Sequence, residues 1–376
     1  MHWRQWVLFL FFVVTLLTLL HGFIGAHVWP LLPAGTTRLV FALVFTFLAF
    51  SYLAARLLES WFPGLGRMLA HIGSWWLGFM AYLFLGCLLF DVFLLIDQVV
   101  PVFEHLPVSL LTALRLYFLI LCLVIAITLV LGHLNVCFPR VRQLTLASSL
   151  SLRIAVMSDL HLSGLVSPQR LERVVDLINR QHPDLILLPG DIVDDDLSVT
   201  AQGETFRNLM RQLKAPLGVF AVTGNHEWIS GVQQSVDWLE SCQVRVLRDE
   251  AIDVGPLVLA GREDFASSRM GAEASTSLAE ILKDVGRSKP LILLDHQPSR
   301  IPEAVQNKVN LLLCGHTHHG QFWPFQMLTK RLFPLSYGHR RFDSTDVYVS
   351  CGAGAWGPQV RTSSRGEIVL LELIES

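Results

Sequence analysis

Four apolar segments of membrane-crossing length lie within the first 136 residues, near Trp6–Ile24, Leu39–Ala55, Trp75–Ile96 and Leu116–Val136, separated by Pro, Gly and charged residues. About 20 consecutive apolar residues span a bilayer as a helix, which satisfies its own backbone hydrogen bonds where no water can do so. The first segment exceeds the apolar core of about 7–15 residues found in a signal peptide and has no small-residue cleavage site after it, so it reads as a retained span. The domain organisation expected is therefore a membrane part over residues 1–142 and a second domain over 143–376.

Composition agrees with that division. With 52% hydrophobic and only 16% charged residues the chain is too apolar for an ordinary soluble enzyme, yet it contains long stretches of mixed polarity. A net charge of −2 offers no basic footprint, which sets nucleic acid aside as a partner. Arg4, Arg56, Arg67, Arg140 and Arg142 flank the segments on one side, while Arg38 and Arg115, with Asp97 and Glu104, fall on the other. The positive-inside rule then puts both termini in the cytoplasm. The six cysteines show no paired spacing, so neither a disulfide framework nor a CxxC zinc site is expected. Asp91 lies inside the third segment, where an ionisable group is costly. Neighbouring segments show no evident partner acid or base, and it is expected near the membrane surface or paired within the bundle.

From residue 143 short β-rich runs alternate with amphipathic stretches, the pattern of a layered α/β domain. "SPQRLERVVDLINRQ" (167–181) carries a Ser N-cap, Pro in the first turn and apolar residues at helical spacing. Further helices are expected near 204–213, 233–242 and 275–285. Five apolar runs each end on metal-capable residues: "LRIAVMSDLH", "DLILLPGD", "GVFAVTGNHE", "PLILLDH" and "NLLLCGHTH". In open α/β sheets ligands gather at the carboxyl ends of strands, so Asp159, His161, Asp191, Asn225, His296, His316 and His318 are expected to converge. Carboxylate, imidazole and amide donors without thiolate suit hard to borderline divalent ions, and seven are too many for one. Two ions sharing a bridging carboxylate use them all. A closed structural zinc site has four ligands and usually includes cysteine, so this donor set disfavours it.

The ordered series Asp159-x-His161, Gly190-Asp191, Gly224-Asn225-His226-Glu227, His296 and Gly315-His316-Thr317-His318 resembles the calcineurin-like metallophosphoesterases. With "GHTHHGQ" it is similar to the bacterial branch of membrane-anchored phosphodiesterases and UDP-2,3-diacylglucosamine hydrolases, over residues 143–376 only. With the four transmembrane helices read above, the expected fold class is α/β, and for the second domain the resemblance implies a two-sheet αββα sandwich with a dinuclear centre at the sheet edge. It implies that Asp159, His161 and His318 hold one metal and Asn225, His296 and His316 the other, with Asp191 bridging. His226 is implied as an acid beside the centre, with support of the centre as its alternative role, and Asp194 as the carboxylate that orients it. Two ions would lower the pKa of a shared water to give the attacking hydroxide and would clamp the phosphoryl oxygens.

Two departures bear on specificity. The arginine that follows the Asp194 position in Ser/Thr protein phosphatases is replaced by Asp195, which removes a guanidinium grip on phosphate. His319 stands where Gly is common, and no metal is assigned to it. Beyond the last histidines, "GQFWPFQMLTKRLFPLSYGHRR" (320–341) is rich in aromatic and aliphatic residues around Lys330 and Arg331. It is read either as a core-packed excursion or as a loop that dips into lipid headgroups. Arg361 and Arg365 are possible phosphate contacts, though as lone surface arginines they are more commonly solvated. The expected function is a membrane-embedded phosphoesterase using two divalent ions on a phosphodiester or pyrophosphate of a lipid or amphiphile. The site is expected in the cytoplasm, on a bacterial inner membrane, with no partner protein. The alternative is a metal-dependent binding module without catalysis.

Overall fold

The computed structural model describes residues 3–375 except 60, 102, 104–106, 198–199, 201, 272–275 and 287. Glu104, used above for topology, and Ser275, the start of one expected helix, lie outside the described residues. Contacts divide the chain into two compact units, Met1–Leu131 and Gly132–Ser376.

The first unit is helical, with α1 (Trp3–Val28), α2 (Thr36–Leu58), α3 (Pro63–Asp97) and most of α4 (Leu110–Cys137). All four are long and apolar enough to cross a membrane. Gly73 lets α3 meet α2 closely, because a Cβ there would come within 2.4 Å of the Tyr52 backbone nitrogen. Asp91 has a partner that the sequence did not suggest: His27 of α1 lies with its Nε2 2.8 Å from the Asp91 Oδ1. The two residues are 64 positions apart, so only helix packing brings them together. A second histidine of α1, His21, accepts a hydrogen bond from the Trp76 indole at 2.8 Å.

The second unit has four layers. Its strands are β1 (Arg140–Ser148), β2 (Leu152–Val156), β3 (Leu185–Pro189), β4 (Val219–Val222), β5 (Arg245–Val246), β6 (Glu250–Val254), β7 (Leu257–Gly261), β8 (Leu291–Leu294), β9 (Leu311–Cys314), β10 (Gly338–Phe342), β11 (Thr345–Val349) and β12 (Glu367–Glu375). They form two six-stranded sheets, ordered β1-β12-β2-β3-β4-β5 and β10-β11-β9-β8-β7-β6. Strands β2 to β5 run parallel, as do β7, β8, β9 and β11.

Alternation along each strand explains the layering. Ile154, Val156, Leu185 and Leu187 face Leu257, Leu259, Ile292, Leu294 and Leu313 in the core between the sheets. The intervening Ala155, Ile186 and Leu188 pack on α5 (Pro168–Asn179), α6 (Gly203–Met210) and, after α7 (Asn225–Ser230), α8 (Val232–Ser241). On the second sheet the outward residues, among them Ala260, Leu293 and Leu312, pack against Leu278, Ile301 and Ala304. Both faces of the parallel regions are covered, so these strands are continuously apolar rather than alternating. The short helices here are α9 (Ala266–Arg269), α10 (Leu278–Ile281), α11 (Ile301–Gln306) and α12 (Gln326–Leu332). The helix expected over 275–285 is thus a single turn, with a Ser277 cap, because only Leu278 and Leu282 are fully buried there.

Candidate metal centre

Every predicted donor follows a strand. Asp159 and His161 come after β2, Asp191 after β3 and Asn225 after β4, all in the first sheet. His296 follows β8, and His316 and His318 follow β9, in the second. Convergence therefore joins the carboxyl ends of two sheets, and no single loop could supply it. Gly315 marks how closely the two edges meet, since a Cβ there would stand 2.3 Å from the Asp159 carboxylate.

The donors turn inward through unusual backbone. Asp159, His161, Asp191, His316 and His318 have φ of 52°, 51°, 53°, 71° and 48°. This left-handed region disfavours side chains with a Cβ by about 1–3 kcal/mol each, and it survives only where surrounding structure enforces it. At Asp191 that enforcement comes from Glu227, a residue of the GNHE segment to which no role was given from sequence. Fully buried, its carboxylate accepts from the backbone N–H groups of Asp191, Ile192, Val193 and Gly224 at 2.6–3.0 Å. It clamps the loop after β3 to the loop after β4. Burial and then the neighbouring Asp191 push its carboxyl up to about 7.

The donor atoms fall into groups: Asp159, His161 and His318 form one, and Asp191, His296 and His316 another. In the first, His161 Nε2 is 2.9 Å from His318 Nε2, which is 3.4 Å from Asp159 Oδ1. In the second, His296 Nε2 is 3.0 Å from Asp191 Oδ2, and His316 Nδ1 is 2.9 Å from Asn225 Oδ1. Donors that share one ion at about 2.1 Å are about 3.0–3.4 Å apart, so these separations are those of ligand pairs. Asp159 Oδ2 is among the buried side-chain atoms that lack a hydrogen-bond partner in the described residues. The His296 Nδ1 lies 2.8 Å from the Pro189 carbonyl, to which it donates, so Nε2 is the ring nitrogen turned to Asp191. An orphaned carboxylate oxygen within such a cluster of donors fits a site that takes a cation.

Burial opposes ionisation of Asp191, but the adjoining His296 outweighs it and holds the carboxyl well below its ordinary value. His296 in turn, despite its burial, keeps its proton well above the ordinary range because Asp191 faces it. Burial and the charge of His296 push His316 down to about 3. The carboxylate thus draws positive charge to its side of the cluster, while His316 beside it is held neutral.

Beside these groups, one oxygen of Asp194 serves two rings. Asp194 Oδ1 is 2.7 Å from His161 Nδ1 and 2.6 Å from His226 Nδ1. The two rings meet edge to face at 4.6 Å. Burial works against the charged form of both Asp194 and His226. Their mutual contact, with His161, prevails, holding Asp194 below its ordinary value and raising His226 to about 9. His226 is also grouped with His161 and Asp191. With its Nδ1 engaged by Asp194, only Nε2 remains to act toward a ligand.

Arg361 is not a surface arginine. It is fully buried, donates to Gly354 O, Cys351 O and Ser364 Oγ, and places Nη2 2.8 Å from His318 Nδ1. His318 then carries its ring proton on Nε2, facing His161, and ligation through that nitrogen requires the proton to move to Nδ1 and Arg361 to rest on its carbonyl acceptors alone. Arg365 is exposed and donates to the Phe138 carbonyl at 2.6 Å. His319 packs its ring near Tyr337, with centroids 4.8 Å apart.

Residues 152–320 match the calcineurin-like phosphoesterase family. An uncharacterized metallophosphoesterase of Aquifex aeolicus is 34% identical over 250 residues, covering 64% of this chain and 94% of that protein. The chain belongs to the calcineurin-like phosphoesterases. An uncharacterized metallophosphoesterase of Helicobacter pylori strain 26695 is 32% identical over 225 residues, 59% of this chain and 60% of that one. A transmembrane protein with metallophosphoesterase domain from Bos taurus is 32% identical over 238 residues, covering 59% and 53%. The chain therefore spans about 60% of the length of the Helicobacter relative and about half that of the bovine one. The chain thus joins a calcineurin-like phosphoesterase domain and candidate ligand clusters to four helices long and apolar enough to cross a membrane.

Proposed function

We propose that this metallophosphoesterase hydrolyses a phosphodiester or pyrophosphate bond of a lipid or other amphiphile at a centre of two divalent ions. Asp159, His161 and His318 would hold one ion and Asn225, His296 and His316 the other, with the Asp191 carboxylate placed to be shared between them. The observation that carries this reading is the gathering of seven donors from five strand ends of two sheets, with Asp191 grouped with His296 and His316 on one side and with His161 and His226 on the other. When bound, the ions supply a hydroxide nucleophile at neutral pH and neutralise charge on the phosphoryl oxygens.

The protein's own residues provide the rest. Asp194 fixes the His226 ring through Nδ1, so that Nε2 is directed to give a proton to the departing oxygen. By holding His161 with the same oxygen, Asp194 also sets the orientation of a ligand. Asp195 in place of a phosphate-gripping arginine supports a diester or pyrophosphate over a phosphoprotein. The basic residues flanking the helices support a catalytic domain (143–376) on the cytoplasmic face of a bacterial inner membrane, reached through the membrane domain (1–142).

The test is hydrolysis by purified full-length protein, stripped of metal and reloaded with Mn or Zn. The substrates are bis(p-nitrophenyl) phosphate, p-nitrophenyl phosphate and UDP-2,3-diacylglucosamine. Metal-restored cleavage of a diester or pyrophosphate is expected. Bound metal with no turnover on any of the three would favour a binding module instead.

A further inference from the structure

We infer that residues 322–335, together with Trp356, form a surface that docks on an anionic lipid bilayer and sets the mouth of the metal centre among the headgroups. The inference deepens the proposed function, since it names where an amphiphilic phosphoester enters, but the docking itself stands on separate observations.

The first is exposure where sequence composition allowed a buried excursion. Trp323, Phe325, Met327, Leu328 and Leu332 are 55, 47, 65, 53 and 65% exposed. None of the seven residues of α12 is buried. Met327, Leu328, Arg331 and Leu332 recur at helical spacing, so one face of α12 is apolar with cationic residues along it. A helix of seven residues is too short to be stable alone in water, and this one has little core to lean on. An apolar face with a cationic border is the composition of a helix that lies in a membrane interface.

The second is charge. From Phe322 to Leu335 the chain carries Lys330 and Arg331 and no aspartate or glutamate, within a protein of net charge −2. That local bias complements anionic headgroups, which attract each basic residue held near them.

The third is attachment to the site. Gly320, with φ of 75°, follows His318 and His319 directly, and a Cβ on it would meet the Gln326 backbone nitrogen at 2.2 Å, so the apolar segment folds back against the histidine turn. The Gln321 side chain donates to the Trp356 and Pro358 carbonyls at 2.8 and 3.1 Å and accepts from the Trp356 N–H at 3.0 Å. Trp356 is 56% exposed, and its ring centroid is 6.1 Å from that of His226. Phe333 approaches His316 in the same way at 5.8 Å. The exposed apolar surface therefore runs up to the two half-buried histidines at the opening of the site. A second copy of the chain would leave the cationic residues facing their like, whereas an anionic bilayer satisfies both features with one occupant.

The experiment compares full-length protein in nanodiscs of phosphatidylcholine alone and of phosphatidylcholine with phosphatidylglycerol. Backbone hydrogen exchange is read over 322–335 and 355–358. Exchange over both segments should slow by about tenfold or more when phosphatidylglycerol is present. Brominated phosphatidylglycerol should quench wild-type fluorescence more than that of Trp323→Phe. The combined variant Trp323→Ser, Leu328→Ser and Leu332→Ser should lose the lipid-dependent protection while hydrolysing soluble bis(p-nitrophenyl) phosphate within about twofold of wild type, which shows that the site is intact. Equal exchange in both bilayers with no Trp323 quenching would overturn the inference. So would protection that appears only in discs holding two chains, which would assign the surface to a second copy. If lipid-dependent protection and quenching hold while the wild type cleaves no phosphoester, the docking stands and the proposed chemistry falls.

Discussion

In the helical unit ionisable side chains meet in ones and twos: His27 with Asp91, and Arg115 with the Leu31 carbonyl at 3.0 Å. In the phosphoesterase unit Asp159, His161, Asp191, Glu227, His296 and His318 are all buried within a few strand ends of one another. The difference follows from what each surrounding can offer. A bundle of apolar helices has no spare backbone donors, so a carboxylate there is matched by a side chain on a neighbouring helix, and an arginine by a carbonyl at a helix end. Strand ends and their loops leave N–H groups unpaired, and Glu227 alone collects four of them. Dense charge is possible only where the backbone itself helps to solvate it.

Substitutions in the two regions should therefore differ in kind. The largest effect is expected for Asp191→Asn, which removes the carboxylate grouped both with His296 and His316 and with His161 and His226. Turnover should fall by about a thousandfold or more, with metal content reduced, as read by steady-state kinetics and elemental analysis. Next, His226→Ala should lower turnover by about a hundredfold with both metals retained, and metal loss would instead make His226 a ligand. Glu227→Gln keeps one acceptor oxygen and turns an amide toward two backbone donors, so it should cost about 2–4 kcal/mol in denaturant unfolding of the phosphoesterase unit. The smallest is His27→Leu, which strips Asp91 of its partner. It should lower stability in detergent by about 1 kcal/mol and leave soluble-diester turnover unchanged, and Asp91→Leu added to it should recover part of that loss. A large effect of His27→Leu on turnover would break the comparison, because the pair would then serve the reaction as well as the bundle.

The fold was readable to the extent that it is periodic. Four apolar segments gave the four long helices, and runs such as "LILLP" and "LLLC" gave strands covered on both faces. Donor positions were readable because each closes such a run. What escaped depends on partners remote in sequence. His27 and Asp91 are joined only by packing of α1 on α3. Arg361 looks like a surface residue until Gly354, Cys351 and His318 are folded around its guanidinium. Glu227 lies in a recognisable segment, yet a glutamate at the start of a helix is ordinarily solvated, and nothing local announces the four amides that enclose it. Residues 322–335 combine tryptophan, phenylalanine and leucine as a core segment would, and only their exposure separates the two readings.

The left-handed backbone at Asp159, His161, Asp191, His316 and His318 carries one more consequence. Glycine at any of these positions would relax the chain and, at Asp191, also remove an ionised group from the interior. Random change in a lineage that no longer needed turnover would thus drift toward a tougher, inert protein by shedding these side chains first. Each such turn is thus a standing cost in stability, tied to the side chain it presents.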